Sequence, residues 1–313
     1  EPTLRRAMKL LGIFVLVLLA GTLAVNPVVR VDPGSAGENT PLPVFSPVLL
    51  GSSKSDSSPE PIGGPDSGIL NILLVGQDKR EDEAVTRSDS MILCTFNKHT
   101  RELIMTSFLR DLYVEIPGHG SNRINAAYAL GGIQLLKQTL SHNFALHIDG
   151  TVEVDFSQFA SIIDALGGVE IELRSDEARV INKETGSNLS EGTHLLTGTQ
   201  ALAYSRIRYL DSDFYRTERQ RNVLTALLTT YGSAGYLEML NATDAFLDQS
   251  TSDHTDEELL EYALELYAMM DDFKIATHRI PADGTYSYET IRGMSVIEVD
   301  FEKNRELLSS ILG

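Results

Sequence analysis

Three apolar runs in the first half of the chain decide the fold. Residues 69–75 read ILNILLV, residues 91–96 read MILCTF and residues 102–108 read ELIMTSF. Continuous apolar runs of this length, bounded by polar residues, are typical of buried strands. The short turn at 97–100 predicts that the second and third strands form an antiparallel hairpin.

Helical and strand patterns alternate along the rest of the chain. We therefore expect an α/β fold, a three-layer α/β/α domain with a mixed central β-sheet. Further strands are predicted at 151–156, 169–173, 273–280 and 296–299. Helices are predicted at 126–140 with a break at Gly131 and Gly132, and at 157–166, 199–204, 217–231, 256–270 and 302–312.

Charged residues follow the strand ends that the hairpin brings together. The second strand begins where the third ends, so Asp89 and Arg110 are expected at one edge of the sheet. Asp78 leaves the first strand eleven residues before Asp89 and is expected at the same edge. The alternative is that the two aspartates are solvated in loops or form salt bridges with Arg80 and Arg87, and the residues alone leave both readings open.

A second group of charges lies at 204–221, which holds five arginines and no lysine although the chain has a net charge of −18. A guanidinium is a rigid fork of donors that matches phosphate geometry and never deprotonates. We therefore interpret this stretch as one wall of a phosphate-binding site. The alternative is local charge balance by Asp211, Asp213 and Glu218.

The spacing inside this stretch favours a pocket. Arg216 and Gln220 are spaced i, i+4 at the start of a predicted helix, so they share the face that continues into apolar positions. The N-terminus of a helix also favours anions. Arg206 and Arg208 flank Ile207, so on an extended segment both would point to one side.

Composition excludes several classes of protein. The pI near 4.7 argues against general binding of nucleic acid. Cys94 is the only cysteine, so the chain has no internal disulfide, and its place in an apolar run predicts a buried thiol. The sequence contains no His-Glu-x-x-His, Gly-x-Ser-x-Gly or Walker A motif.

The N-terminal region predicts a membrane anchor. Arg5, Arg6 and Lys9 precede the uncharged residues 10–25, which favours a single transmembrane helix with the rest of the chain outside the cell. A cleaved signal peptide is the alternative. We expect a stub and anchor at 1–26, a disordered Pro/Ser/Gly tether at 27–68 and a folded extracellular domain at 69–313.

Seven short motifs occur in order along the chain. They are Gly76-Gln77-Asp78, Arg87-Ser88-Asp89, Arg110-Asp111, Arg123-Ile124-Asn125-Ala126-Ala127-Tyr128, residues 164–169 (DALGGV), residues 201–208 (ALAYSRIR) and Arg216-Thr217-Glu218-Arg219-Gln220. Taken together, these motifs resemble those of the LytR-CpsA-Psr family of bacterial cell-envelope proteins. Two departures concern loop residues: Leu109 stands where family members commonly have Pro, and Tyr215 where they often have Gly.

The resemblance implies roles for individual residues. Asp78 and Asp89 would bind Mg²⁺, and Asp89 is either a metal ligand or a general base. The catalytic residues would be Asp89, Arg110, Arg206 and Arg208. The residues that bind the lipid-linked phosphates would be Arg87, Arg110, Arg206, Arg208, Arg216, Arg219 and Gln220.

The resemblance also implies a reaction. The protein would transfer a glycopolymer, such as a teichoic acid or a capsule polysaccharide, from a polyprenyl diphosphate carrier to peptidoglycan through a phosphodiester. An apolar tunnel between sheet and helices would hold the prenyl chain. The alternatives are a hydrolase that cleaves the diphosphate with water, and a lipid-phosphate-binding regulator without turnover.

Overall fold

The computed structural model describes residues 61–64, 67–77, 88–233, 251–252 and 274–313. The predicted anchor, most of the tether and the predicted helix at 256–270 lie outside these residues. No helix within the described ranges is both long enough and apolar enough to cross a membrane.

Twelve strands and six helices are described. The strands are β1 (Ile69–Gln77), β2 (Ser88–Asn97), β3 (Glu102–Phe108), β4 (Tyr113–Ile116), β5 (Gly120–Arg123), β6 (Gly150–Asp155), β7 (Val169–Leu173), β8 (Gly192–Leu196), β9 (Thr251–Ser252), β10 (Lys274–Ile280), β11 (Tyr286–Ile291) and β12 (Met294–Val299). The helices are α1 (Asn125–Phe144), α2 (Phe156–Ala165), α3 (Ser175–Thr185), α4 (Gly198–Arg206), α5 (Asp213–Ser233) and α6 (Phe301–Leu312).

The central sheet is mixed, with the strand order β10-β3-β2-β1-β6-β9. Strands β2 and β3 pair antiparallel, with Ile92 opposite Ser107, so the predicted hairpin is confirmed. Strand β1 pairs antiparallel with β2 and parallel with β6, and β10 pairs parallel with β3. Strands β1 and β3 therefore end at the same edge as the start of β2.

Helices pack on both faces of this sheet, which confirms the mixed α/β fold. On one face, buried residues of α1 and α6 such as Leu136 and Leu308 pack against Leu93 and Phe108. On the other face, Leu224 of α5 packs against a cluster that includes Cys94, whose predicted burial is confirmed. Helix α1 carries the expected break, because both of its adjacent glycines have non-helical backbone angles.

A separate apolar cluster holds helices α2 to α5 around the β7–β8 hairpin. Gly198 makes the closest approach within it, since a Cβ atom at that position would lie 2.0 Å from the carbonyl oxygen of Ala160. The backbone N–H of Gly198 also donates to Asp164 Oδ1 at 2.7 Å. Helix α4 therefore begins directly against α2, and this fixes where its other end lies.

Several elements differ from the predictions. The folded region begins before residue 69, because Ile62 N donates to Ala145 O at 2.7 Å and Ile62 forms a bridge with Leu146. Strands β8 and β11 and helix α3 were not predicted, because exposed positions interrupt their apolar patterns. Arg206 is the last residue of α4, so the predicted extended segment begins only at Ile207.

Candidate active site

The end of β1 and the start of β2 meet at one edge of the sheet, next in sequence to the predicted acidic residues. Gln77, the last residue of β1, pairs with Ser88 of β2 on one side and with Asp155 of β6 on the other. Asp78 follows Gln77 directly, and the backbone of Asp89 follows Ser88 within β2. The residues Asp78 and Arg87 and the side chain of Asp89 lie outside the described part of the chain, so their binding roles stay predictions.

Arg110 and Arg216 are brought together by a shared carboxylate, that of Asp213. Asp213 Oδ1 lies 2.8 Å from Arg216 Nη2 and 4.0 Å from Arg110 Nε. Arg110 follows the end of β3, whereas the other two residues lie in the first turn of α5. All three side chains are largely buried, with 14% of Arg110, 4% of Arg216 and 21% of Asp213 exposed. The loop after β3 and the first turn of α5 thus form one charged surface. We call Arg110, Asp213 and Arg216 the arginine wall.

Asp111 and Arg123 extend this wall. Arg123 Nη1 lies 3.5 Å from Asp111 Oδ1. The backbone N–H of Asn125 donates to the carbonyl of Arg110 at 3.3 Å, so the start of α1 holds the loop that follows β3. Arg123 was not among the predicted site residues, although the arginine heads the motif at 123–128.

Arg206 and Arg208 lie on the surface, at and just after the end of α4. Both side chains are exposed, while Ile207 between them is only 2% exposed and packs in the cluster around α4 and α5. Ser205, which directly precedes Arg206, lines the same cavity as Gln220. Arg206 therefore lies at the end of α4, directly after a residue that lines the cavity.

Arg219 does not fit its predicted role in binding phosphate. Its side chain is 3% exposed, and its guanidinium donates to Glu177 Oε1 at 2.8 Å, to the carbonyl of Ile207 at 3.2 Å and to both carboxylate oxygens of Asp211. Burial alone would lower the pKa of Arg219, but its hydrogen bonds to Asp211 and Glu177 raise it. Arg219 therefore fastens the loop between α4 and α5 to α3. For Arg219, the contacts favour the alternative interpretation of local charge balance over phosphate binding.

Arg221 is a further buried arginine, reaching the sheet from the next turn of α5. Its Nη1 donates to Ser107 Oγ at 2.8 Å, and its Nε has no hydrogen-bond partner among the described residues. Burial lowers the pKa of Arg221 to about 10, against an opposing contribution from the Glu218 carboxylate. The guanidinium thus places a positive charge next to Ser107, near the end of β3.

An apolar cavity opens next to the arginines, between the sheet and helices α2, α4 and α5. It holds about 140 Å³ that the centres of water-sized spheres can occupy, and about 800 Å³ of empty space when open solvent is included. Strands β1, β2 and β6 form its floor with residues such as Leu74, Ile92 and Val154. Gln220 lines it as well, and Gln220 Oε1 is a buried acceptor with no hydrogen-bond partner among the described residues.

The arrangement therefore combines two chemistries in one place. Arginines at the end of β3 and the start of α5 suit an anion with several oxygens, because guanidinium groups bind phosphate oxygens in pairs. The cavity suits a chain of apolar carbons. Helix α5 contributes to both, since Arg216 and Gln220 are one turn apart on it. A molecule with a charged head and an apolar tail matches this combination.

Comparisons with known proteins agree with this description. The family model described as the LytR_cpsA_psr family matches residues 51–310. The polyisoprenyl-teichoic acid–peptidoglycan teichoic acid transferase TagT of Bacillus subtilis (strain 168) is 33% identical over 250 residues, which cover 78% of this chain and 76% of that protein. Regulatory protein MsrR of Staphylococcus aureus (strain COL) is 37% identical over 163 residues, which cover 51% of this chain and 48% of that protein.

Solved structures are similar as well. The structure of TagT bound to LIIa-WTA has a TM-score of 0.67 and 28% identity, covering 84% of this chain and 98% of that one. The LytR-CPS2A-psr family protein YwtF (TagT) with bound octaprenyl pyrophosphate lipid has a TM-score of 0.62 and 26% identity, again covering 84% and 98%.

Proposed function

Because the chain belongs to the LytR_cpsA_psr family, whose model matches residues 51–310, we propose that it transfers a glycopolymer from a polyprenyl diphosphate carrier to peptidoglycan. The observation that carries this proposal is the junction of the arginine wall and the apolar cavity on helix α5. TagT, a relative, is named as a teichoic acid transferase, and a TagT structure contains octaprenyl pyrophosphate.

In this proposal the wall holds the diphosphate and the cavity holds the prenyl chain. Arg110, Arg206, Arg208 and Arg216 donate to the phosphate oxygens, and each charge-assisted hydrogen bond contributes about 1.5–3 kcal/mol. Gln220 holds the position where the head meets the tail. Phosphoryl transfer needs positioning and charge neutralisation more than covalent help from the protein, and an arginine-rich wall supplies both.

We expect Mg²⁺ to be bound by Asp78 and Asp89. Carboxylate oxygens are suitable ligands for Mg²⁺. The pairing of Gln77 with Ser88 supports this expectation, since Asp78 follows Gln77 in the sequence and Asp89 follows Ser88. When bound, the ion neutralises negative charge on the diphosphate oxygens.

The proposed reaction forms one bond and breaks one. A hydroxyl oxygen of peptidoglycan attacks the phosphorus nearest the glycan, and the bond from that phosphorus to the bridging oxygen breaks. The prenyl phosphate leaves with the bonding electron pair. The hydroxyl proton passes to a base, for which Asp89 is our candidate, and the product is a phosphodiester between glycopolymer and wall.

The location follows from the same proposal. The substrate is a membrane lipid and the acceptor is the cell wall, so the site has to lie at the outer face of the cell membrane. The predicted anchor at residues 10–25 would hold it there, with the tether setting the reach of the folded domain.

The test is a transfer assay with the full chain, a short-chain prenyl diphosphate that carries a glycan, and a peptidoglycan oligomer. We expect mass spectrometry to find the glycan joined to the oligomer through phosphate, and this product to disappear in Arg110→Ala. Arg101→Ala is a matched control, because Arg101 lies in the turn at the opposite end of the β2–β3 hairpin.

Three results would overturn the proposal. Prenyl phosphate released equally well without the oligomer would indicate a hydrolase. Tight lipid binding without any product would favour a regulator, the role in the name of the relative MsrR. Equal transfer by Arg110→Ala and the wild type would remove the arginine wall from the reaction.

A further inference from the structure

A row of aromatic side chains in mutual contact leads from the arginine wall to the surface. Phe214 directly follows Asp213, and its ring centroid lies 5.3 Å from that of Tyr286. Tyr286 in turn meets Tyr288 edge-on, with centroids 5.7 Å apart and planes at 90°. The guanidinium carbon of Arg279 lies over the Phe214 ring at 4.8 Å from its centroid. We call Phe214, Tyr286 and Tyr288 the aromatic row.

The backbone fixes the outer end of this row relative to the wall. Tyr288 of β11 lies directly opposite Ile297 of β12. The N–H of Ile297 donates to the carbonyl of Asp111 at 2.9 Å, and Asp111 is the neighbour of Arg110. The hairpin that carries Tyr288 is therefore attached to the loop that carries Arg110.

Tyr288 is exposed although it belongs to this packed row. Its side chain is 62% exposed, while the residue opposite it, Ile297, is 4% exposed. Partial burial, Tyr286 and the carboxylate of Asp213 all raise the pKa of Tyr288, and Arg279 opposes them. The Tyr288 hydroxyl thus interacts electrostatically with Asp213 of the arginine wall, while most of the side chain is exposed to solvent.

The order of features along the sheet gives the row a direction. The apolar cavity lies over β2, β1 and β6, the wall lies at the end of β3, and the aromatic row reaches β10 through the contact of Phe214 with Arg279. Phe214 and Tyr286 pack against the core cluster on the α1 face of the sheet. A polyprenyl diphosphate sugar has three parts in the same order: tail, diphosphate, sugar. With the tail in the cavity and the diphosphate on the wall, the sugar extends toward the row.

We propose that the aromatic row is the subsite for the sugar joined to the donor diphosphate, with Tyr288 as its contact surface. This inference rests on the proposed function. The C–H face of a pyranose ring is apolar and its edge carries hydroxyls. An exposed tyrosine offers an apolar ring with a polar tip, which matches both. Binding energy gained there also holds the reacting phosphorus in place.

The test compares two ligands that differ only in the sugar. Geranyl diphosphate and geranyl diphosphate carrying one N-acetylglucosamine are titrated against the full chain in detergent. We expect Tyr288→Ala to weaken binding of the sugar-bearing lipid by about threefold to tenfold and to leave geranyl diphosphate unchanged. Tyr288→Phe keeps the ring and should keep most of the affinity. Glu289→Ala is the control on the same strand, one residue along.

The outcomes separate this proposal from its alternatives. Unchanged affinity for both lipids, with a lower melting temperature, would show that Tyr288 only stabilises the hairpin. An equal loss of affinity for both lipids would mean that the aromatic row supports the arginine wall and does not contact the sugar. A loss confined to a muropeptide titrated as a third ligand would assign the row to the acceptor and overturn the donor subsite. If wild type fails to bind geranyl diphosphate at all, the proposed function itself is wrong, and the donor subsite falls with it.

Discussion

Asp213 contacts Arg216 through both carboxylate oxygens, with Oδ1 at 2.8 Å and Oδ2 at 2.9 Å from the same Nη2 atom. The same carboxylate lies near Arg110. A negative group therefore already sits between two arginines that we assign to phosphate binding. An incoming diphosphate would compete with Asp213 for Arg216 or share it, and this relationship can be measured.

Asp213→Asn should lower the stability of the ligand-free protein by about 1.5–3 kcal/mol, because two largely buried arginines lose a charged acceptor. Added inorganic pyrophosphate should then raise the melting temperature more in the variant than in wild type, since the anion supplies the missing charge. Thermal unfolding with and without pyrophosphate measures both effects. Asp283→Asn is the control, as that residue pairs with Arg279 at an exposed site. Equal pyrophosphate shifts would contradict this model.

Arg219→Ala should destabilise the protein by about 3–5 kcal/mol, because Glu177 would be left buried without its main cation. Arg206→Ala should change the melting temperature little, since Arg206 is exposed, and should weaken binding of a short-chain prenyl diphosphate. Lys at 206 should rescue only part of that affinity. An unchanged melting temperature in Arg219→Ala would show that this buried network is unimportant. Equal lipid affinity of Arg206→Ala and wild type would remove Arg206 from the site.

Asp89→Ala should nearly abolish transfer while the melting temperature in metal-free buffer stays close to that of wild type. The reason is that a carboxylate that serves Mg²⁺ contributes to stability mainly when the ion is present. Wild-type transfer should fall on addition of EDTA and return with excess Mg²⁺. Transfer that is unaffected by EDTA would refute the assignment of Mg²⁺ to Asp78 and Asp89.

We expect His278 to make the stability of the folded protein depend on pH. Burial, and then the positive charge of Arg221, lower the pKa of His278 below its ordinary value of 6.5. Between that value and the lowered one the unfolded chain binds the proton more readily, so the native state loses stability as the pH falls through this window. Urea unfolding at pH 7.5 and 5.5 should therefore show a smaller loss in His278→Gln than in wild type. Identical losses would mean that His278 titrates normally.

Gly198→Ala should destabilise the protein by about 1–3 kcal/mol or more, because its Cβ would overlap the backbone of Ala160. The start of α4 would have to move away from α2, which also displaces Arg206 at its other end. We expect a lower melting temperature together with weaker lipid binding. Thr199→Ala, one residue along and exposed, is the control. Wild-type values for both measurements would contradict the close packing of these helices.

The sequence predicted the central sheet well because its strands are buried and read as continuous apolar runs. The bounds of β3 agree with the prediction to the residue, as do those of β7 in the separate β7–β8 hairpin. The position of Arg110 could also be predicted, since a tight hairpin fixes which strand ends meet. Local patterns were enough to predict the β2–β3 hairpin and the position of Arg110, because the paired residues are close together in the sequence.

Long-range contacts explain what the sequence could not provide. In the sequence nothing distinguishes Arg219 from the nearby Arg216 and Arg221. Its contact with Glu177, 42 residues earlier, is what shows that its side chain is used inside the fold. The aromatic row joins Phe214 to Tyr286, which no local pattern connects. The alternation of tyrosine and serine at 286–288 did carry a strand signal that was missed.

The β11–β12 hairpin has a consequence for how the protein is made. A ribosome releases Arg110 and Arg216 long before Ile297, yet the loop at Asp111 is held by the N–H of Ile297, and β3 pairs with the late strand β10. A nascent chain thus carries the arginines before their outer support exists. A chain truncated before residue 274 would lack both contacts, so the proposed binding of a lipid diphosphate requires synthesis to continue past Ile297.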